Sequence, residues 1–109
     1  MRIEDVPFDT IDWSKISPEL HNGITGKAYW KTYEQGNIRV RMVEYTPGYA
    51  ADHWCSRGHV ILVLEGELET ELSDGRVFKT KAGQCYVVAE AANPHRSSTK
   101  EGAKLFIVD

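Results

Sequence analysis

The chain has 109 residues, 41% of them hydrophobic and 27% charged, an ordinary globular composition that excludes a disordered or membrane-embedded chain. Thirteen basic residues against sixteen acidic ones provide no basic field for nucleic acid. The first residues carry acids and no apolar run of signal or membrane-spanning length, so neither nucleic acid nor membrane is an expected partner and the expected location is cytoplasmic. Cys55 and Cys85 are too few for a disulfide scaffold, and a reducing compartment leaves both thiols open to metal or redox chemistry.

Residues 1–24 are broken by Pro7, Pro18 and Asn22-Gly23 and read as an N-terminal arm. Its apolar residues Phe8, Ile11 and Trp13 call for burial on a sheet face or on a partner subunit. A single helical turn is expected near Ser17–Leu20. From about residue 25 to residue 109 the pattern is β: runs of β-branched and aromatic residues recur between Gly, Pro, Asp and Asn. About eight strands are expected, near 27–34, 37–46, 49–54, 59–65, 67–73, 76–80, 84–90 and 95–108, the last split at 100–102.

Turns are expected at Gln35-Gly36, Pro47-Gly48, Glu65-Gly66 and Asp74-Gly75. A two-residue hairpin at Asp74-Gly75 pairs Ser73 with Arg76 and Leu72 with Val77. In the run from Glu67 to Leu72, period 2 puts Glu67, Glu69 and Glu71 on a solvated face and Leu68, Thr70 and Leu72 on the other. Many short strands without a long amphipathic helix argue for an all-β sandwich or barrel.

Of four histidines, His53, His59 and His95 fall at strand ends or beside turns, whereas His21 reads as a surface residue. His53 and Cys55 are two apart and share a face if the backbone is extended. His59 opens the next apolar run, and His95 follows Pro94. Such N and S donors suit a first-row metal if the fold brings them to one point. Cys55 has three open readings: a thiolate ligand, a small buried hydrophobe, or a disulfide partner of Cys85. Cys85 itself reads as core. Glu44 shares parity with Ile38, Val40 and Met42, so an inward orientation would make it a candidate catalytic acid or base.

The stretch from Pro47 to His95 resembles the cupins. Pro47-Gly48, His53-Trp54-Cys55, His59 and Gly66 follow the layout of the first cupin motif, with Cys55 at the usual second histidine and His59 at the usual glutamate. Gly75, Lys81-Ala82-Gly83 and Pro94-His95 follow the second, with Lys81 replacing a proline. The whole chain looks like the small cupins described by a DHCW motif. The resemblance implies a cupin-like jelly-roll β-barrel, with His53, His59 and His95 as metal ligands and Cys55 as a fourth ligand or close neighbour. A histidine-rich set favours Fe, Ni, Cu or Zn over harder ions.

Two functions are expected from this resemblance. One is a metalloenzyme, dioxygenase-like or isomerase-like, acting on a small molecule in the barrel; three histidines resemble the ligand set of thiol dioxygenases, although none of Arg39, Arg41, Arg57 and Arg96 stands out as a carboxylate-binding residue. The other is a non-catalytic metal or small-ligand sensor. A homodimer is expected, because open sheet edges need cover and the arm can supply it.

Overall fold

The computed structural model describes residues 1–109 and is all-β apart from one 3-10 turn, Trp13–Lys15. Asp12 caps that turn by accepting from the Ser14 N–H. The strands are β1 (Glu19–Asn22), β2 (Lys27–Gln35), β3 (Ile38–Tyr45), β4 (His59–Leu72), β5 (Val77–Lys81), β6 (Cys85–Val88), β7 (His95–Ser98) and β8 (Ala103–Val108). All pair antiparallel; one path runs β1-β2-β3-β8-β4, and β4 also pairs with β5, β6 and β7. No helix is long and apolar enough to cross a membrane.

β4 joins the two sheets. Its first half pairs with β8 and β6, its second half with β7 and β5. The expected turn at Glu65-Gly66 is instead a bulge between Val63 and Glu65, so two expected strands are one. The extra residue switches parity: His59, Ile61 and Val63 are buried before it, Leu68 and Thr70 after it. Gly66 has φ +81, and a Cβ there would collide with the Gly102 carbonyl oxygen. Gly66→Ala should therefore cost on the order of 2–4 kcal/mol of stability, read as a fall in the denaturant midpoint at unchanged slope.

The Asp74-Gly75 hairpin also differs from expectation. Leu72 N–H donates to the Arg76 carbonyl and Gly75 N–H to the Leu72 carbonyl, while Gly75 takes φ +96 and Asp74 stays out of the left-handed region. This is a three-residue loop ending in a left-handed glycine. Register shifts by one accordingly, so Glu71 faces Val77 and Thr70 faces Phe78. Phe78 thereby shares the inner face with Thr70.

The core holds Val43, Ile61, Val63, Leu68, Ala103, Leu105 and Ile107, with Trp30, Tyr45 and Tyr86 packed against it. Parity along β3 follows from that core. Arg41, beside Val43 in the inward set, is 5% exposed, whereas Glu44 is exposed on the outer face with Met42, Trp13 and Lys104. Glu44 is thus not an inward acid or base: Met42, which shares its parity, lies beside Trp13 of the arm rather than in the barrel.

The arm crosses the β2–β3 hairpin. The Trp13 carbonyl accepts from Lys31 Nζ, Asp9 accepts from the Tyr33 hydroxyl, and Asn37 bonds the Glu4 and Arg2 backbones. Ile11 and Trp13 are half-buried, but Phe8 is 99% exposed. Residues 19–22, expected as arm with a helical turn, form β1, and the turn lies earlier at Trp13. His21, expected on the surface, is half-buried and stacks on Trp30 at 3.9 Å between ring centroids.

Candidate metal centre

Strand register assembles the site. Antiparallel pairing places Ile61 beside Ile107, so two residues further His59 lies beside Asp109, and Asp109 exchanges both backbone hydrogen bonds with Arg39. On the other side His59 is opposite Val88 and Ile61 opposite Tyr86. The inward alternation Ala103, Leu105, Ile107 carries on to Asp109, whose side chain is fully buried. His95 enters from the second sheet, opposite Leu72. Cys55 joins it as an isolated bridge, with hydrogen bonds of 2.7 and 2.9 Å between the two backbones.

Cys55, His59 and His95 therefore converge, their donor atoms all lying within 4.8 Å of one another. Their environment orients both rings. His95 Nδ1 is 2.7 Å from the Asn93 carbonyl oxygen, which only an N–H can satisfy, so the free lone pair is on Nε2. His59 Nδ1 faces the Asp109 carboxylate at 3.4 Å, which points its Nε2 inward as well. The two Nε2 atoms are 2.8 Å apart.

Two lone pairs at that distance repel unless a cation or a proton lies between them. Nitrogens bound to one metal at about 2.0–2.1 Å, with bond angles near 90–110°, sit roughly 2.8–3.4 Å apart, and the observed spacing lies at the short end of that range. The chemistry of the donor set thus fits a transition metal. The longer separations in the group belong to the Cys55 thiol.

His53 stands apart from this group. Its side chain is 68% exposed and its Nδ1 is 2.7 Å from Asp52. The shared face expected for His53 and Cys55 required an extended strand over 49–54, whereas residues 52–53 form a bend and only Ala50 and Cys55 make isolated bridges, Ala50 to Thr25 and Ser98 and Cys55 to His95. Both cysteines are free, so the disulfide alternative is set aside. Cys85, expected in the core, is exposed because Tyr86 and Val88 take the inward positions of β6.

Asp109 is the residue the sequence reading missed. Arg39 grips it with two bonds of 2.8 and 2.9 Å, Arg41 with one of 2.9 Å, and Arg57 lies at 3.9 Å. Burial alone would raise its carboxyl, but hydrogen bonds from Arg39 and His59 and the charge of Arg41 outweigh that and hold it well below the usual carboxylate range. Its signal was present in the alternation of the last strand, where a carboxylate occupies an inward position. Burial also pushes the His95 imidazole below its ordinary value, the Asn93 bond opposing that and His59 reinforcing it. Neutral imidazole is the form that binds metal.

The four arginines now separate by role. Arg39 and Arg41 are committed to Asp109, and Arg41 also stacks over Trp30 at 4.4 Å. Arg96 lies over Trp54 and bonds Glu71. Arg57 is half-exposed and holds Asp109 only at long range. Tyr86 completes the inner wall: its hydroxyl is 3.4 Å from His59 Nε2, and burial raises its pKa so that it stays a neutral phenol.

No family model and no curated protein sequence matches the chain. Solved structures do match. A predicted oxalate decarboxylase from Thermotoga maritima superposes with a TM-score of 0.74 at 14% identity, over 92% of this chain and 96% of that one. The polyketide cyclase RemF from Streptomyces resistomycificus gives 0.74 at 17% identity, over 94% and 78%. A sugar phosphate isomerase of the cupin superfamily from Silicibacter pomeroyi gives 0.70 at 16% identity, over 92% and 74%. With its two antiparallel sheets joined through β4, a histidine pair facing inward between them and these likenesses, the chain has the cupin fold.

Proposed function

We propose that the protein is a metal-dependent enzyme acting on a small molecule held in the barrel beside His95. The carrying observation is the pair of Nε2 atoms 2.8 Å apart, each ring oriented through its other nitrogen by Asn93 or Asp109. His59 and His95 would hold the metal, with Cys55 as third donor. A thiolate in that set favours Zn, Cu or Fe over harder ions, and Ni stays within the range. The metal would supply Lewis-acid polarisation of a substrate oxygen, and three protein donors leave room for that oxygen.

The remaining roles belong to the chain's own groups. Asp109 fixes the His59 ring, the Asn93 carbonyl fixes His95, and the neutral Tyr86 hydroxyl offers a proton at the inner wall. That solved structures of this fold include a predicted oxalate decarboxylase, a sugar phosphate isomerase and a polyketide cyclase supports catalysis on small molecules. A second reading, a non-catalytic metal or small-ligand sensor, is favoured by one observation: Glu44 faces outward, and the carboxylate beside His59, Asp109, is held by Arg39 and Arg41 rather than free to act as a base. Elemental analysis of protein purified without chelator or added metal tests the shared premise. One transition-metal ion per chain is the expected result, and stoichiometric absence that persists after reconstitution contradicts it.

Two further proposals follow from exposure and redox state. The free thiols of Cys55 and Cys85 support a reducing, cytoplasmic setting. The fully exposed Phe8, on an arm that Ile11 and Trp13 partly dock, supports a homodimer in which a second copy covers it. Sedimentation should then give twice the chain mass at micromolar concentration, and Phe8→Ala should weaken the dimer at least about tenfold. A monomer throughout that range contradicts the dimer.

A further inference from the structure

The sheet made by β3, β8, β4 and β6 is apolar on both faces. Its inner face carries Val43, Ile61, Val63, Leu105 and Ile107 of the core. Cross-strand partners lie on one side of a sheet, so the registers also assemble two outer rows: Val87, Val60, Val108 and Val40 in one, Cys85, Leu62, Phe106 and Met42 in the next. A sheet with one face in water alternates apolar with polar residues, whereas continuous apolar runs belong to strands covered on both sides. β4 shows both patterns. Before its bulge it runs Val60, Ile61, Leu62, Val63 and Leu64 without a polar residue; after it, Glu67, Glu69 and Glu71 alternate with Leu68, Thr70 and Leu72.

The arm covers only part of the outer face. Trp13 lies beside Tyr29 and Met42, and Met1 and Ile3 reach Val60, Val87 and Val108 at the end of the first row. Val87 stays 75% exposed, and Val60, Leu64 and Cys85 are exposed as well. None of the eight outer positions is charged. The adjoining row holds Glu44, Lys104 and Glu65, with Lys104 and Glu65 paired at 3.4 Å.

We propose that two copies of the chain meet on this face, sheet on sheet, with Val60 and Val87 of each copy between them. The assignment rests on the dimer reading above and gives that dimer its interface. Area and charge both select a second copy as the occupant. The uncovered face, with Met1 and Ile3 at its edge, amounts to roughly 600 Å² of apolar surface per copy, so a face-to-face pair buries about 1,200 Å², the lower bound for a stable complex. An uncharged face brings no like charges together when it meets itself, and a bordering row of both signs can pair across a two-fold axis. That row carries two carboxylates to one ammonium, the wrong balance for an anionic lipid surface. Phe8 borders the same face: its neighbour Asp9 bonds Tyr33, which stands opposite Val40 beyond the first row.

Sedimentation of the full-length chain and mass-spectrometric mapping of iodoacetamide on Cys85 test this. Val87→Glu should weaken the dimer at least about a hundredfold, because each copy then buries a carboxylate without a partner, while the exposed position keeps the far-ultraviolet spectrum unaltered. Val77→Glu makes the same change at a 50% exposed valine of β5, on the other sheet, and should leave the dimer within about twofold. In the parent, Cys85 should be alkylated at least about tenfold more slowly as the dimer than at dilutions that give the monomer, a reading that needs no variant. A parent that sediments as a monomer at micromolar concentration overturns the dimer reading and this proposal together. A parent dimer whose Cys85 reacts as fast as in the monomer, that survives Val87→Glu, or that Val77→Glu breaks equally overturns this interface and leaves the dimer to Phe8.

Discussion

His59→Ala and His95→Ala should each lower transition-metal affinity by at least about a hundredfold while the far-ultraviolet spectrum stays that of a β-barrel. Each removes one of two nitrogens that face each other at 2.8 Å, and one imidazole with one thiol does not make a tight site. The fold should survive because the apolar cluster from Val43 to Ile107 carries stability independently of the site. His53→Ala, by contrast, should leave metal affinity within about twofold, because its ring is exposed and bonded to Asp52. Equilibrium dialysis of the three variants measures all of this. Equal loss in all three would bring His53 into the site through a movement of the bend at residues 52–53, and retention in all three would remove the histidines from metal binding.

Asp109→Ala should be the most destabilising single change near the site, at about 3–5 kcal/mol. It leaves Arg41 and Arg39, 6% and 16% exposed at their side chains, without their carboxylate. Asp109→Asn keeps the volume and should cost less, yet lower metal affinity about 10- to 100-fold because the His59 ring loses its charged acceptor. The pH dependence has a definite sign. The Asp109 carboxyl is held below its ordinary value in the folded chain, so its contribution is complete above about pH 4 and is lost as pH falls toward the folded value. Chemical denaturation between pH 7 and pH 3 should show that acid loss in the parent and a shallower one in Asp109→Asn; parallel slopes would contradict the role given to this carboxylate.

The β class was legible because strand composition and turn residues agree over most of the chain, and β2, β3, β5 and β8 lie close to where the pattern puts them. What failed were arguments that assumed uninterrupted regularity. Gly66 reads as a turn residue, yet its positive φ serves a bulge that keeps β4 continuous while switching which side chains face inward. The shared face of His53 and Cys55 depended on extension that the bend abolishes. Parity misplaced Glu44 because β3 has two apolar faces, one toward the barrel and one under the arm, and composition alone does not say which is inside.

Within the site, the cupin-like motif layout singled out His59, His95 and Cys55, which the fold brings together, whereas the bridge that joins Cys55 to His95 spans forty residues of chain and leaves no local mark. Asp109 was overlooked for a similar reason: its partners Arg39, Arg41 and His59 are 50 to 70 residues away. Its position in an inward alternation was visible, but the buried cations that make such a carboxylate tolerable, Arg39 and Arg41, come from β3.

Cobalt titration of the apo-protein tests the assignment of His59, His95 and Cys55 most directly. One Co²⁺ should bind per chain with an intense sulfur-to-metal charge-transfer band; Cys55→Ser should remove the band but keep a weaker cobalt site, and His95→Ala should lose both. Binding without the band in the parent would reduce Cys55 to a wall of the site, and no stoichiometric cobalt binding at neutral pH would contradict the metal centre altogether.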